Sequence, residues 1–393
     1  MPTTATTSVP ANLPEPDEAG REHSARVVAS LRSEIARSGG WISFAKYMQH
    51  VLYAPALGYY VAGARKFGHA GDFVTAPETT PLFARALATQ VAAILEATGA
   101  REIVEFGAGS GALAAELLNA LAASGAEPSR YAILDVSPGL RERQRATIAE
   151  CAADCIDQVE WLDALPATFD GAVVMNEVLD ALPPHLIARR NGEWFERGVA
   201  CIDTLHWEDR PLADAHLQAL AAQRFPPTGD YLSEINPAAE ALIEDIGRRM
   251  GAGALLIIDY GFPQAEFYHV QRSEGTLMGH YRHRSHADPF LWPGLTDLTA
   301  HVDFTAIALA GERAGLHVAG YAPQAAFLLG CGILERLQEI GEPESVAYLR
   351  EAAAVQKLTS PAEMGELFKV LALAKSDDIE WPGFSVTDRS HRL

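Results

Sequence analysis

The run Glu105-Phe106-Gly107-Ala108-Gly109-Ser110-Gly111 joins an apolar stretch, Arg101–Phe106, that reads as a strand to a helical pattern over Ala112–Ala123. A strand entering a helix through so bare a turn is the signature of a parallel α/β sheet. Glycines at alternate positions permit positive φ and let a ligand approach the main chain. The free N–H groups at the helix start favour negative or polar ligand groups. The turn therefore reads as a nucleotide-cofactor loop.

Around this loop apolar strands alternate with helices. The strands expected are Arg101–Phe106, Tyr131–Val136, Gln158–Leu162, Gly171–Asn176, Ala254–Tyr260, Leu316–Tyr321 and Phe368–Ala374. Seven strands fit a doubly wound, Rossmann-like sheet. Helical patterns cover Arg21–Arg37, Pro81–Ala97, Pro237–Met250, Thr305–Ala314, Ala325–Ile340 and Ser345–Val355. Between the first two of these helices lies a stretch dense in aromatics, Gly and Pro, including Phe44, Tyr47, Tyr53, Tyr59, Tyr60, Phe67 and Phe73, read as an irregular lid. After the fourth strand, Leu186–Arg190, the turn Asn191-Gly192 and Glu193–Ile202 spell a β-hairpin. The expected organisation is a disordered tail over residues 1–20, a helical and lid region over 21–99, and a core over 100–393. Insertions at about 185–236 and 262–303 follow the fourth and fifth strands.

Charge and cysteine usage narrow the function. With 31 Lys+Arg against 51 Asp+Glu the chain carries a formal charge of −20, which repels nucleic acid and anionic membranes and suits a cationic substrate. Cys151, Cys155, Cys201 and Cys331 form no CxxC pair, so reduced thiols in a cytoplasmic setting are expected. The first twenty residues hold no Arg or Lys and match neither a secretory signal nor an arginine-rich presequence. No apolar run reaches the roughly 18 residues of a membrane span. Composition leaves the oligomeric state open, a homodimer included.

The loop alone does not choose its cofactor. Gly107, Gly109 and Ala112, with Asp135 downstream, also satisfy a dinucleotide fingerprint. Glu105 before the loop suits an ammonium rather than a pyrophosphate, and no redox constellation accompanies it. Those details favour S-adenosyl-L-methionine and methyl transfer over a nicotinamide cofactor and hydride transfer. Asp135, ending the second strand, can accept hydrogen bonds from ribose hydroxyls, while Ser137 before Pro138 is the better helix cap. Trp161, Leu162 and Asp163 end the third strand, where an adenine could lie, although core packing accounts for Trp161 and Leu162 equally well.

The fourth strand ends in Asn176-Glu177-Val178-Leu179-Asp180-Ala181-Leu182-Pro183, polar groups directly after Ala172–Met175. If a helical turn begins there, Glu177 and Asp180 share a face. Paired carboxylates hold a guanidinium or ammonium bidentately and aim its nitrogen. His280, His283 and His286 are evenly spaced, yet no HExxH pattern or cysteine accompanies them, so substrate contact or a structured loop is favoured over metal. Asp303 reads as a helix cap and His301 as a polar contact at the cleft, with the two roles not separable here.

The chain resembles the MidA family, which includes the mitochondrial complex I assembly-factor arginine methyltransferases. The anchors are Leu57-Gly58-Tyr59-Tyr60, Gly71 to Glu78, Glu105 to Gly111, Asn176 to Pro183, Asp259-Tyr260-Gly261 and His301 to Phe304. The resemblance implies a class I S-adenosyl-L-methionine-dependent methyltransferase. It implies cofactor contact by Gly107, Gly109 and Asp135, a catalytic cleft at Asn176, Glu177 and Asp180, and closure over the cofactor by Gly71, Asp72 and Thr75. It further implies methylation of an arginine on a partner protein, a complex I-type subunit where one is present. A small-molecule methyltransferase and a non-catalytic assembly factor are the alternatives.

Overall fold

A computed structural model describes residues 13–62 and 75–393, which fall into two units. One comprises Met1–Val74, Ala181–Pro237 and Tyr268–Ala300, and the other Thr75–Asp180, Ala238–Phe267 and His301–Leu393. The N-terminal region and both insertions are thus drawn from three stretches of sequence into one folding unit, whereas the helix beginning at Pro81 belongs to the core.

The core unit is built on a mixed sheet of eight strands. Seven run in the order His317–Pro323, Phe368–Ala374, Met250–Phe262, Phe169–Asn176, Glu102–Phe106, Arg130–Leu134 and Val159–Leu162. Phe368–Ala374 is antiparallel to both its neighbours, and the remaining joins are parallel. The eighth strand, Val302–Asp303, lies parallel to Gly261–Phe262. Its two residues are too few for a hydrophobic period, which is why the sequence pattern shows seven strands and not eight.

Chain order reverses between Glu102–Phe106 and Phe169–Asn176, and these neighbours are in register, with Phe106 opposite Met175. A reversal of this kind opens a crevice beyond the carboxyl ends of the two strands. The glycine loop and Asn176-Glu177 therefore leave adjacent strands at the same end of the sheet. Burial of Ile103, Tyr131, Ile133, Ala172, Val174, Leu256 and Ile258 against the helices holds those ends in place.

Pro81–Thr98 is the main covering helix. Pro81 stands at its first position, the Thr80 hydroxyl accepts the Leu82 N–H at 3.1 Å, and Gly99 at φ 64° stops it. Leu82, Leu87, Val91 and Ile94 form its buried stripe. The pattern over Ala325–Ile340 resolves into two helices, Gln324–Gly330 and Ile333–Gln338, because Gly332 adopts φ 79° and breaks the run.

In the other unit, five strands form a sheet around the expected hairpin, His185–Arg190 and Glu193–Cys201, turned by Asn191 and Gly192 at φ 51° and 85°. The stretch read as an irregular lid begins instead with a helix, Phe44–Tyr53, capped by Ser43 and burying Phe44, Tyr47, Met48, Val51 and Leu52. Those five positions recur at helical spacing, so the period was present within the aromatic stretch. Among the described residues no helix is long and apolar enough to cross a membrane.

Candidate active site

Gly107, Gly109 and Gly111 all take positive φ, at 62°, 53° and 87°. The loop is held by Gly107 N–H donating to Leu134 O at 2.9 Å and Gly111 N–H donating to Ala108 O at 2.8 Å. A methyl group on Gly111 would lie 2.9 Å from Gln144 Cα, so that position also sets how closely two helices pass. Glu105 is 2 % exposed and accepts the Tyr131 hydroxyl at 2.8 Å. Burial, with the charge of Asp135 adding to it, raises its carboxyl to about 8.

Asp135 is buried, and both its oxygens are engaged. Oδ1 accepts the Ser137 N–H and Oδ2 accepts Gln144 Nε2, each at 2.8 Å. Burial raises its pKa as the larger effect, and these two donors oppose it. Each oxygen retains a second lone pair, so ribose hydroxyls remain a fitting partner. Ser137 is the helix cap, its Oγ accepting the Leu140 N–H at 3.3 Å.

Gln144 organises this side of the crevice, a role that nothing in its sequence context signals. Besides Asp135, its Nε2 donates to Gly109 O at 3.2 Å and its Oε1 accepts Trp161 Nε1 at 2.9 Å. Trp161 is covered on one face by the Arg145 guanidinium, 4.1 Å from the ring centroid. Its ring therefore supports the site instead of offering both faces to an adenine. Arg141 braces the neighbouring strand ends through Asp163 Oδ1, Leu162 O and Asp135 O, at 2.7, 2.9 and 2.8 Å. Val136, beyond Asp135, is 69 % exposed, an apolar surface presented at the crevice that the sequence reading passed over.

After the fourth strand no helical turn forms. Glu177 instead takes φ 53°, a conformation that costs a non-glycine residue roughly 1–3 kcal/mol and persists only when its surroundings impose it. Its N–H donates to Ile258 O at 2.9 Å. Its carboxylate accepts Asn176 Nδ2 at 3.2 Å and the Ala76 N–H. Half-buried, Glu177 is raised to about 8, first by burial and then by the charges of Asp180 and Glu78.

Asp180 lies close enough for its charge to raise Glu177, and its Oδ2 accepts the Tyr260 hydroxyl at 2.5 Å. Asp259, 0 % exposed, receives the Leu179 and Asp180 N–H groups at 3.0 and 3.3 Å and so fixes the strand-end segment. Burial and the neighbouring Asp180 and Glu177 raise its pKa strongly. Asp259 and Tyr260 were missed as site residues, although an acid closing the apolar run Leu255–Ile258 was the available signal.

Thr75 precedes the short Ala76–Thr79 helix, whose N-terminal N–H meets Glu177. Gly71 and Asp72 lie outside the described residues. Asp303 is a helix cap, accepting the Ala306 N–H at 3.2 Å, and His301 packs edge-on against Tyr260 at 5.3 Å. In the other unit, His280 and His286 lie on antiparallel strands and His283 in their turn at φ 60°. Among the described residues no group of three His, Cys, Asp or Glu is placed to hold a metal.

A loop of left-handed glycines, an acid at the next strand end and a switch point together fit an adenosine-bearing ligand. Among the described residues Asn176 Oδ1 is buried without a donor, an acceptor suited to an ammonium group. Comparison with known proteins agrees. A family model described as "Putative S-adenosyl-L-methionine-dependent methyltransferase" matches residues 86–322. The chain belongs to that family.

It is 30 % identical to the mouse protein arginine methyltransferase NDUFAF7, mitochondrial, over 86 % of this chain and 82 % of that protein. A Drosophila melanogaster homologue is 29 % identical over 93 % and 88 %. A Burkholderia thailandensis protein solved with S-adenosyl-homocysteine is 51 % identical, with a TM-score of 0.93 over 97 % of this chain and 100 % of that one. The methyltransferase is thus dependent on S-adenosyl-L-methionine. Its cytoplasmic location, expected from cysteine usage and the first twenty residues, is corrected: the mouse and Drosophila melanogaster relatives are named as mitochondrial.

Proposed function

We propose that this methyltransferase transfers its methyl group to an arginine side chain of a partner protein, with Glu177 as the residue that receives the guanidinium. The observation that carries this reading is the placement of a half-buried, strained carboxylate one strand from the glycine loop. The relatives named as protein arginine methyltransferases support it, as does a net charge of −20, which draws a cationic segment inward. A complex I-type subunit is the proposed partner where that complex is present.

Gly107, Gly109 and the backbone around them would hold the cofactor's amino-acid end, together with Asn176. Asp135 would hold its ribose hydroxyls, and Val136 and Leu162 would flank its adenine. When bound, S-adenosyl-L-methionine supplies an electrophilic methyl group on a sulfonium. Glu177 accepts N–H hydrogen bonds from the guanidinium and so turns one nitrogen toward that methyl. Arginine stays protonated with a pKa above ~12, so free deprotonation is not the route. Glu177 instead takes the proton that the nitrogen loses as its new bond forms, and a carboxyl raised to about 8 is a better base for this than an ordinary one. Asn176 and the Ala76 N–H keep the carboxylate pointed.

The test is to incubate the protein with cell extract and methyl-labelled cofactor. Label recovered as methylarginine in a protein band supports the proposal. Label confined to small molecules, or recovered on another residue type, defeats it.

A further inference from the structure

Within the core unit, the Ala76–Thr79 turn does more than donate an N–H to Glu177. Its Glu78 holds both carboxylate oxygens out of solvent with no hydrogen-bond donor on either among the described residues. Burying a carboxylate without a partner is costly. Glu177 lies near enough for the Glu78 charge to act on it, so two acids converge. Asp180 also acts on Glu177, ahead of Glu78, with its Oδ2 engaged by the Tyr260 hydroxyl. The Thr75 carbonyl accepts the Glu78 N–H at 3.0 Å and the Thr79 N–H at 3.2 Å, fixing the turn that carries Glu78. That turn packs on the Ala112–Ser124 helix, which springs from the glycine loop.

We infer that Glu78 is the second substrate-holding carboxylate, and that with Glu177 it grips the two edges of a single guanidinium group. The inference rests on the arginine reading above and deepens it. A guanidinium offers five N–H donors in a fixed planar fork, enough to serve both carboxylates at once. A lone ammonium presents a point charge and does not match two separated acids equally well. The same group that satisfies the orphaned oxygens of Glu78 also lets Glu177 ionise beside it, which their closeness otherwise opposes. Specificity for arginine over lysine follows from that geometry.

The experiment titrates N-acetyl-arginine methylamide, and its neutral citrulline counterpart, into the protein saturated with S-adenosyl-homocysteine, followed by calorimetry. The wild type binds the arginine compound and not the citrulline one. Glu78→Gln weakens arginine binding at least tenfold while S-adenosyl-homocysteine affinity stays within twofold. Glu78→Asp, which keeps the charge, recovers a measurable part of it. Retention of full arginine affinity in Glu78→Gln, with loss in Glu177→Gln, overturns the role of Glu78 and leaves the arginine reading standing. A fall in S-adenosyl-homocysteine affinity in Glu78→Gln assigns the acid to the cofactor and also overturns it. Failure of the wild type to distinguish arginine from citrulline removes both.

Discussion

The Tyr260 hydroxyl donates to Asp180 Oδ2 at 2.5 Å, which ties one oxygen of an acid that the sequence places in the catalytic pair to the neighbouring strand. Removing the phenol leaves a buried carboxylate short of a donor, a loss worth about 1–3 kcal/mol. Tyr260→Phe is therefore expected to lower the urea midpoint while leaving S-adenosyl-homocysteine affinity intact, since Tyr260 is not among the cofactor-holding groups proposed. An unchanged midpoint would mean that Asp180 finds another donor at no cost.

Glu177→Gln removes the proposed base and keeps the shape of the side chain. The expected outcome is a drop in turnover of ~10²–10⁴-fold with cofactor affinity nearly unchanged. Parallel calorimetry and methylation assays decide the matter. Equal loss of both would show that Glu177 shapes the pocket and does not act on substrate.

Proton coupling offers an independent check. In the free site Glu177 holds its proton up to about pH 8, and only the carboxylate receives a guanidinium well. Arginine binding must then expel a proton below that pH, and its affinity must rise as pH climbs from 6 toward 8 before levelling. Calorimetry in buffers of different ionisation enthalpy measures the protons released. Binding that is flat across this window would remove Glu177 from the binding step.

How much of this was legible in the sequence depended on the range of the interaction. The strand Phe368–Ala374 and the start of the helix at Ala112 were read to the residue, because buried strands and glycine turns write their pattern locally. The same holds for Ser137 and Asp303 as caps, each marked by its immediate neighbours. Gln144, Tyr260 and Asp259 act across 9, 80 and 79 or more positions, and no local period records such pairings. The helical reading of Glu177 to Asp180 did not hold for a related reason. It assumed helical spacing, and the left-handed conformation of Glu177 is imposed by its bond to Ile258, far along the chain.

Glu105 couples the cofactor loop to stability. The unfolded chain ionises this side chain near 4.5, whereas the folded chain keeps it protonated until about 8. Its favourable contribution is full below pH 4.5 and is lost progressively as pH rises to 8, because only the unfolded state gains from ionisation. Glu105→Gln does not titrate, and its amide oxygen still accepts the Tyr131 hydroxyl. The variant should gain on the wild type as pH rises, by on the order of a few kcal/mol at pH 8. Urea unfolding at pH 5, 6.5 and 8 measures the gap. A gap that stays constant or shrinks toward pH 8 would mean that Glu105 ionises normally in the folded protein.

Gly111→Ala tests whether the loop and the ribose acid form one mechanical unit. At φ 87° an alanine costs roughly 1–2 kcal/mol from backbone strain alone. Its methyl group would also sit 2.9 Å from Gln144 Cα, and that neighbour is helix backbone and cannot swing aside. Relief requires moving the Pro138–Cys151 helix, and with it the amide that reaches both Asp135 and Gly109. Cofactor affinity should therefore fall at least tenfold, although Gly111 need not touch the cofactor. Gln144→Ala should reproduce much of that loss without adding any backbone strain, and the double variant should lose less than the sum of the two. Calorimetry with S-adenosyl-homocysteine on the three variants separates the cases. Additive losses would show that the glycine acts only through its own conformation and that the helix carries none of the effect.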